Sequence, residues 1–366
     1  MDRGSHRHGS GIAPARGARS HLYNPSVFFR GQTIGKYRIL SPLGSGGFGS
    51  VYLAEDTWIA KKVALKVPHK QNLDFGEMVK EPRLLASMSH PNIVTILTAE
   101  KQENVFFIVM EYVTGETLER IILREGALDL HRALDFTCQI CNAVDHAHRA
   151  GVLHRDLRPG NMLVSDTGLL KVTDFGTSRF LEIAAHGTTV IGSPPYMAPE
   201  QFHGKAVFAS DVYSVGVTMY QMLTGSLPYD TPAPADVERL MRGELVVPPR
   251  VKNSRIPRKI SDIILKALDP NLTTRYQRAA DLLEDTLAAR EADPRRAARR
   301  GAAPSPAGDP STRAGSSRAG SRDEESAAEI QARLRARETP PQRFCWHCRK
   351  PLHARADRCP FCSETQ

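Results

Sequence analysis

The chain has 366 residues, of which 41% are hydrophobic, and a formal net charge of +9. It is long enough for a domain of about 250 residues with a full apolar core, plus accessory segments. No run approaches the roughly 18 consecutive apolar residues of a membrane helix, and the charged N-terminus lacks the apolar region of a secretory signal. These features argue against a membrane-spanning or secreted class, and we expect a cytoplasmic protein.

Most of the excess positive charge lies outside the segments with a folded pattern. Residues 1–30 carry five arginines and one aspartate, and residues 290–343 carry twelve arginines and eight acids. Because such compositions bury too little apolar surface to offset their ordering entropy, we expect a disordered basic tail over 1–32 and a disordered Ala/Arg/Ser/Pro-rich linker over 291–343. A basic arm can contact nucleic acid or acidic lipid, although a solvated arm is the commoner case.

Between these arms the chain changes from strand-like to helical patterns. Short β-rich runs separated by turn residues are "YRILSPLG", "SVYLAED", "KKVALKVP" and "ENVFFIVMEY". Beyond about residue 116 helical spacing dominates, first in "LDLHRALDFTCQICNAVDHAHRAG", which ends at Gly151. "SDVYSVGVTMYQMLTG" is apolar nearly all round, which is typical of a buried central helix. The sequence thus predicts an α+β fold, with a small β-rich half followed by a larger helical half.

The stretch "LGSGGFGSVYLAED" places Gly44, Gly46 and Gly49 between two strand-like runs. Glycines there let backbone amides approach a polyphosphate without an obstructing side chain. A dinucleotide-binding loop has a similar glycine pattern, but a helix follows it directly. Since "SVYLAED" reads as a strand, the pattern indicates a hairpin that lies over the phosphates.

Further along, three short stretches carry chemistry suited to phosphate. "VALK" puts Lys66 at the end of a strand, about fifteen residues after the glycine hairpin. "HRDLRPGN" holds Asp156, Arg158 and Asn161 on a loop in which a proline and a glycine stop any helix. "TDFG", with Asp174, follows after the hairpin-like "MLVSDTGLLKV".

Together these stretches resemble a eukaryotic-type protein kinase of the Ser/Thr branch, close to the bacterial members. "HPNIV", "MEYV", "PYMAPE", "SDVYSVGV" and "DPNLTTRY" also occur in family order. The resemblance covers roughly residues 33–290. It implies a two-lobed protein kinase fold, with a β-rich N-lobe over 33–112 and a helical C-lobe over 113–290.

The resemblance also implies roles for individual residues. Asp156 would accept or orient the hydroxyl proton of the substrate, and Lys66 would hold the α- and β-phosphates of ATP. Asn161 and Asp174 would hold Mg²⁺, a hard ion that prefers oxygen ligands. Arg158 stands where the Ser/Thr branch usually has a lysine near the γ-phosphate; arginine keeps the charge and adds a planar fork, so we expect a tolerated change.

The adenine would lie between Val51 and Ala64 on one side and Leu163 on the other. Met110 would gate the rear of this pocket. The hinge backbone of Glu111 and Val113 would meet the base, and Glu116 the ribose. The remaining ATP-binding residues belong to the glycine hairpin, namely Leu43, Gly44, Ser45, Gly46, Gly47, Phe48 and Gly49.

One departure from the family concerns the helix that would supply a glutamate partner for Lys66. Counting back from "HPNIV" gives Glu81, but Pro82 follows it directly, and proline disfavours the helix interior by about 3 kcal/mol. We therefore expect either a helix that begins at Pro82 or one that is kinked at the pairing residue, with Glu77 as the fallback partner. Our hypothesis is a short or mobile helix whose ion pair with Lys66 forms only on activation.

Regulation is implied by Arg155, because arginine before the catalytic aspartate is typical of kinases switched on by a phosphate in the activation loop. Thr188 and Thr189 are the expected acceptors, by autophosphorylation, while Ser193 would shape the substrate groove. Three further residues have expected architectural roles, with Glu200 and Arg275 forming a buried ion pair and Asp211 anchoring the catalytic-loop backbone.

The last segment, 344–366, contains Cys345, Cys348, Cys359 and Cys362 as two C-x-x-C pairs. Four thiolates at this spacing suit tetrahedral zinc, and so short a segment needs a staple to fold. It resembles a small zinc ribbon with structural zinc, and disulfides are the alternative. The ribbon and the basic linker would dock a protein or nucleic-acid partner. Cys138 and Cys141 share one helix face and are expected in the core.

We therefore predict an active ATP- and Mg²⁺-dependent protein Ser/Thr kinase that acts on protein substrates. The first alternative is a pseudokinase scaffold that recruits partners through the zinc ribbon, which only Pro82 and Arg158 favour. The second is a kinase for a small molecule, against which "PYMAPE" and the protein-type activation loop argue.

Overall fold

A computed structural model of the chain describes 28–47, 49–69, 71, 75–102, 104–175, 193–232 and 234–291, and the backbone of 343–344 and 351–352. The chain forms two compact units, Met1–Ala302 and Ala303–Gln366. The first unit begins with a six-stranded antiparallel sheet in the order β1-β2-β3-β4-β6-β5. Its strands are β1 Thr33–Ile34, β2 Tyr37–Gly46, β3 Gly49–Asp56, β4 Lys61–Pro68, β5 Ile96–Gln102 and β6 Val105–Glu111.

Strand β6 explains how this sheet is buried on both faces. Successive side chains of a strand point to opposite faces. Val105, Phe107 and Val109 join one apolar cluster with residues of β1 to β4. Phe106, Ile108 and Met110 join a second cluster. The continuous apolar run "VFFIVM" therefore contributes side chains to the apolar clusters on both faces of the sheet.

Helix α1, Phe75–Ala86, covers the second face of the sheet and contains Pro82 in its interior. The expectation that this helix begins at Pro82 is wrong, because it begins seven residues earlier, at Phe75. Met78 and Val79 bury their side chains in the second cluster, and this apolar contact offsets the backbone hydrogen bond that a proline cannot donate. The side chains of Glu77 and Glu81 lie outside the described part.

The helical half packs around two long helices. They are α3, Leu130–Arg149, which is capped by the carboxylate of Asp129, and α4, Phe208–Thr224. Fourteen of the 17 residues of α4 are buried, as predicted for a central helix. The remaining helices are α2 Leu118–Glu125, α5 Val237–Met241, α6 Pro249–Lys252, α7 Arg258–Ala267 and α8 Ala279–Glu291.

A small antiparallel sheet and a large apolar cluster complete this half. The sheet consists of β7 Gly115–Thr117, β8 Met162–Ser165 and β9 Leu170–Val172, so "MLVSDTGLLKV" forms the predicted hairpin. Cys138 and Cys141 are free thiols buried in α3, and burial raises the pKa of both. Among the described residues, no helix is long and apolar enough to cross a membrane.

In the second unit the described backbone forms one short antiparallel hairpin. Strand β10, Arg343–Phe344, pairs with β11, Pro351–Leu352, in the register Phe344 to Pro351. The intervening residues, which include Cys345 and Cys348, lie outside the described part.

Candidate active site

The glycine hairpin connects β2 and β3 and lies at one end of the larger sheet. Gly46 pairs with Gly49, and Gly49 also pairs with Pro68 of β4. A Cβ atom on Gly49 would collide with the carbonyl oxygen of Val67, so only glycine fits here. Open space surrounds the Cα atoms of Gly44 and Gly46. The result is a backbone edge that a phosphate can approach closely.

The residues expected around adenine lie together in an apolar cluster. Five of the residues expected around adenine share one cluster with α1, namely Val51, Ala64, Met110, Val113 and Leu163. The carboxylates of the two acidic residues near the expected pocket bind groups of the protein itself, which leaves the hinge backbone of Glu111 for the base. The carboxylate of Glu111 accepts hydrogen bonds from Lys171 Nζ at 2.8 Å and from the Thr95 amide at 2.7 Å. The carboxylate of Glu116 accepts two from Arg124 Nη1, at 2.7 and 2.6 Å.

Lys66 and Asp174 meet in the cleft between the two halves. Lys66 Nζ donates to Asp174 Oδ1 at 2.7 Å, and the two residues are 108 positions apart in the sequence. Burial alone would raise the pKa of Asp174, but the charge and hydrogen bond of Lys66 hold that pKa below its ordinary value. Asp174 has a φ of +66°, a left-handed conformation that L-residues rarely adopt. The carboxylate is therefore ionised beside a buried ammonium.

Asp156 lies at the centre of the catalytic loop and is 8% exposed. Its Oδ2 accepts a hydrogen bond from Asn161 Nδ2 at 3.0 Å, and its Oδ1 accepts one from the Ser193 amide at 3.1 Å. Arg158 Nε lies 3.7 Å from Oδ2, while Arg158 Nη1 lies 3.4 Å from Glu119 of α2. The carboxylate is thus fixed in orientation on a short loop.

The loop itself is anchored to α4 by Asp211. The Asp211 carboxylate accepts the backbone N–H groups of His154 and Arg155, each at 2.8 Å, and contacts His148 Nε2 at 2.8 Å. Burial alone would raise the pKa of Asp211, but the hydrogen bond and charge of His148 hold that pKa below its ordinary value. Arg155 has a φ of +67°, which these bonds maintain. The predicted backbone anchor is present.

Two further bonds connect the catalytic loop with the segment that carries Asp174. His154 Nε2 lies 2.9 Å from the carbonyl oxygen of Thr173, and the Thr173 amide donates to the carbonyl oxygen of Asn161 at 2.9 Å. Asn161 and Asp174 are therefore neighbours across a rigid backbone connection, although the sequence separates them by a hairpin.

The predicted ion pair between Glu200 and Arg275 is also present. Arg275 Nη1 and Nη2 donate to the two carboxylate oxygens at 2.7 and 3.1 Å. The Arg275 side chain is fully buried, and its remaining donors reach the carbonyl oxygens of Asp269, Ala209 and Pro270. This pair has every donor satisfied, as a buried charge requires.

Comparison with known proteins agrees with this geometry. The protein kinase domain family model matches residues 37–292. The chain belongs to the protein kinase family. The predicted two-lobed kinase fold is thereby confirmed for its first unit.

The curated relatives narrow the class. The chain is 36% identical to the serine/threonine-protein kinase PrkC of Bacillus subtilis over 267 residues, which is 71% of this chain and 41% of that protein. It is 33% identical to the serine/threonine-protein kinase PknB of Mycobacterium tuberculosis over 272 residues, 71% of this chain and 44% of that protein. The kinase domain is therefore of the serine/threonine type, while the chain matches only about two fifths of these relatives' length.

A solved structure has a similar fold. The crystal structure of Rad53 1-466 in complex with AMP-PNP matches with a TM-score of 0.60 at 28% identity, covering 68% of this chain and 64% of that one.

The donor set of the kinase cleft fits a magnesium ion. Asn161 Nδ2 is engaged by the carboxylate and the carbonyl oxygen of Asp156, which leaves its Oδ1 as a ligand atom. Asp174 supplies a neighbouring carboxylate. Two protein oxygens are enough for Mg²⁺, which is usually bound through one or two side chains and completes its shell with phosphate and water.

Sequence reasoning missed the surroundings of Arg158. A Cβ atom on Gly160 would overlap the Arg158 guanidinium, so the arginine occupies space that only a glycine leaves open. Glu119, in the first turn of α2, is its second acidic partner. In the sequence, Gly160 two positions after Arg158 was the signal that could have indicated space for the guanidinium. Several predicted residues lie outside the described part: Phe48, Thr188, Thr189, Cys345, Cys348, Cys359 and Cys362.

Proposed function

We propose that the protein transfers the γ-phosphate of ATP to serine or threonine hydroxyl groups of protein substrates. The observation that carries this proposal is the arrangement of Asp156, Asn161 and the Lys66–Asp174 pair around one cleft. Phosphoryl transfer requires positioning and charge neutralisation more than covalent chemistry, and these residues supply both. ATP is the substrate, as a nucleotide analogue is the ligand of the similar Rad53 structure.

Each polar residue then has one task. Asp156 Oδ1 and Oδ2 are held by Ser193 and Asn161, and the carboxylate accepts or orients the proton of the attacking hydroxyl group. Lys66 exchanges part of its contact with Asp174 for phosphate oxygens. Asn161 and Asp174 would hold Mg²⁺, which would offset the negative charge of the phosphates.

Arg158 takes the place near the γ-phosphate where related kinases carry lysine. In the structure its guanidinium lies between Glu119 and Asp156, at 3.4 and 3.7 Å. Both carboxylates compete with phosphate for this cation, and a phosphate dianion attracts it more strongly. We therefore propose that Arg158 leaves Glu119 when ATP is bound.

The test is incubation of the full chain with labelled ATP, Mg²⁺ and a generic protein substrate. We expect Asp156→Asn to lower the transfer rate by about 10²- to 10⁴-fold, since a positioned proton acceptor contributes this much. Asp166→Asn, in the exposed β8–β9 turn, is the matched control and leaves the rate unchanged. Equal rates for the native chain and Asp156→Asn would contradict the proposal.

The pseudokinase alternative predicts a different pair of results. It requires ATP binding without transfer in the native chain, and only Pro82 and Arg158 favour it. Since α1 accommodates Pro82 and Arg158 keeps its charge beside Asp156, we favour the enzyme. Calorimetric binding of ATP together with no transfer above the Asp156→Asn variant would establish the scaffold instead.

Regulation of the kinase by autophosphorylation at Thr188 and Thr189 is part of the proposal. The loop that holds Arg155 in a left-handed conformation fixes the arginine which we expect to pair with the phosphate. Phosphopeptide mapping of the same reaction, with Thr188→Ala and Thr189→Ala alone and combined, identifies the acceptor. Undiminished activity of the double variant would exclude this regulation.

For the second unit we propose a structural zinc site formed by Cys345, Cys348, Cys359 and Cys362, used to dock a protein or nucleic-acid partner. The hairpin of β10 and β11 supports it, because it returns the chain across the first C-x-x-C pair. Metal analysis should give one zinc per chain, and Cys345→Ser with Cys348→Ser should remove it. Four cysteines protected as disulfides instead would exclude zinc.

We place the reaction in the cytoplasm, where ATP is available and where Cys138 and Cys141 stay reduced.

A further inference from the structure

Two large apolar side chains stand side by side on the surface of the first unit. Trp58 is 80% exposed and Ile59 is 67% exposed. They form the tip of the turn between β3 and β4, which we call the Trp–Ile tip. A lone exposed apolar residue is ordinary, whereas an adjacent tryptophan and isoleucine at a projecting turn form a small apolar patch that a partner can cover.

The Trp–Ile tip is held in place by hydrogen bonds. The Thr57 amide and hydroxyl group donate to the carbonyl oxygen of Lys36 at 2.9 and 2.8 Å. The Trp58 amide donates to Asp56 Oδ1 at 3.0 Å, and Ala60 turns the chain with a φ of +51°. The backbone of the tip is therefore held in one conformation, which lowers the cost of ordering it on binding.

The charges around the tip are basic. Lys36 Nζ lies 2.9 Å from Asp56 and 5.1 Å from the centre of the Trp58 ring. Asp56 is thus already neutralised within the fold. Lys61 and Lys62 follow the tip directly and are exposed, and neither has a carboxylate within ion-pair distance among the described residues. The other nearby acid, Glu55, pairs with Arg38. Lys61 and Lys62 stand opposite Asp56 and Glu55 in the β3–β4 register, but both acids are paired with other cations. The two lysines therefore add positive charge on one side of the apolar tip.

The position of the tip leaves the active site accessible. Strand β4 carries Lys61 at the tip and Lys66 in the cleft, so the two sites are on the order of 20 Å apart at about 3.4 Å per residue.

We propose that the Trp–Ile tip, with Lys61 and Lys62, binds the headgroup region of an anionic lipid bilayer. Tryptophan prefers the interface between water and hydrocarbon, an aliphatic neighbour enters the acyl boundary, and lysines attract acidic headgroups. A projecting, convex tip suits a deformable bilayer, whereas a protein partner would have to supply a matching cavity. The convex shape of the tip, together with the two exposed lysines beside it, therefore selects an anionic bilayer as the occupant.

The chain contains two tryptophans, Trp58 and Trp346, which makes the test direct. In the full-length Trp346→Phe variant, Trp58 is the only indole reporter. With vesicles of phosphatidylglycerol and phosphatidylcholine we expect a blue shift of its emission and quenching by lipids brominated on the acyl chains. Neutral phosphatidylcholine vesicles, or about 0.5 M salt, should suppress both signals, because the attraction is screened.

Two variants separate the tip from the basic arms. Trp58→Ser with Ile59→Ser should lower vesicle co-sedimentation by about tenfold, and Lys61→Glu with Lys62→Glu by at least that much, at roughly fivefold per lysine removed. Leu123→Ser is the matched control, because Leu123 is 78% exposed on α2 and should change nothing. Kinase activity on a soluble substrate should be equal in all variants.

Three outcomes would overturn the proposal. Co-sedimentation without quenching of Trp58 assigns binding to the basic arms. Binding of the Trp58→Ser, Ile59→Ser variant to vesicles as tightly as the native chain would also assign binding to the basic arms. Absence of any vesicle signal, together with self-association that depends on Trp58 in sedimentation velocity, makes the tip a protein interface.

Discussion

The cleft and the base of the helical half hold their charged groups in different ways. In the cleft, Lys66 and Asp174 pair at 2.7 Å, and the Asp174 side chain keeps 24% of its surface exposed. At the base, Arg275 is fully buried and its donors are distributed over Glu200 and three carbonyl oxygens. The pair in the cleft joins two groups that can each take a ligand instead.

The difference shows which charges are structural and which are reserved for chemistry. A buried pair with all donors satisfied has one favourable arrangement, so it fixes the fold. A pair that water and phosphate can reach exchanges partners at low cost. By the same criterion Asp211 is structural, because it is buried and is engaged by two backbone amides and His148.

The largest expected effect is on stability at the base. Arg275→Met leaves Glu200 buried without its partner and should lower the free energy of unfolding by about 3–5 kcal/mol. Lys66→Met is the matched change in the cleft. Because Asp174 retains contact with water, Lys66→Met should lower the free energy of unfolding by only about 1–2 kcal/mol, although it should abolish activity. Urea unfolding of both variants measures the difference.

Equal destabilisation by the two methionine variants would contradict the comparison. If Arg275→Met does not accumulate as folded protein, Arg275→Lys still tests it. Lysine keeps the charge but loses the planar fork and two of the five donors, so Arg275→Lys should be less stable than Lys66→Met.

A second prediction concerns the pH dependence contributed by Asp211. Its pKa is depressed in the folded chain, so it contributes stability above its ordinary pKa and loses that contribution as pH falls through the folded value. The gap in unfolding free energy between the native chain and Asp211→Asn should therefore be largest near pH 6 and shrink below about pH 4. Asp166→Asn, with its exposed carboxyl group, serves as the control. A gap that stays constant over this range would argue against the anchor.

The smallest expected effect concerns Arg158 and Gly160. Gly160→Ala displaces the guanidinium from Asp156 and Glu119 and should lower the rate of transfer by less than about tenfold. In a chain that already carries Arg158→Lys, the same alanine should cost less, because an ammonium needs less space. Steady-state rates of the two single variants and the double variant give the coupling. Strictly additive losses would show that the two residues act separately.

Much of the cleft could be predicted from the sequence, since its residues lie in short stretches with fixed spacing. The glycine hairpin, Lys66 on its strand and the loop from Asp156 to Asn161 require only local geometry. The Ser/Thr type was also predicted, and the comparisons confirm it.

What could not be predicted depends on contacts between distant residues. The Lys66–Asp174 pair spans 108 positions, and no periodicity reports it. The start of α1 was predicted wrongly at Pro82 as one alternative, because the local penalty of a proline was weighed without the apolar contact of Met78 and Val79. The position of Arg158 depends on the missing side chain at Gly160, which spacing alone does not reveal.

The thiol of Cys141 has a practical consequence. It is wholly buried in α3 against the centre of the helical half, and burial raises its pKa far above that of a free thiol. Alkylating reagents attack the thiolate and need access, so this side chain reacts only when the surrounding helices separate. The rate at which Cys141 is alkylated therefore measures how often the helical half opens.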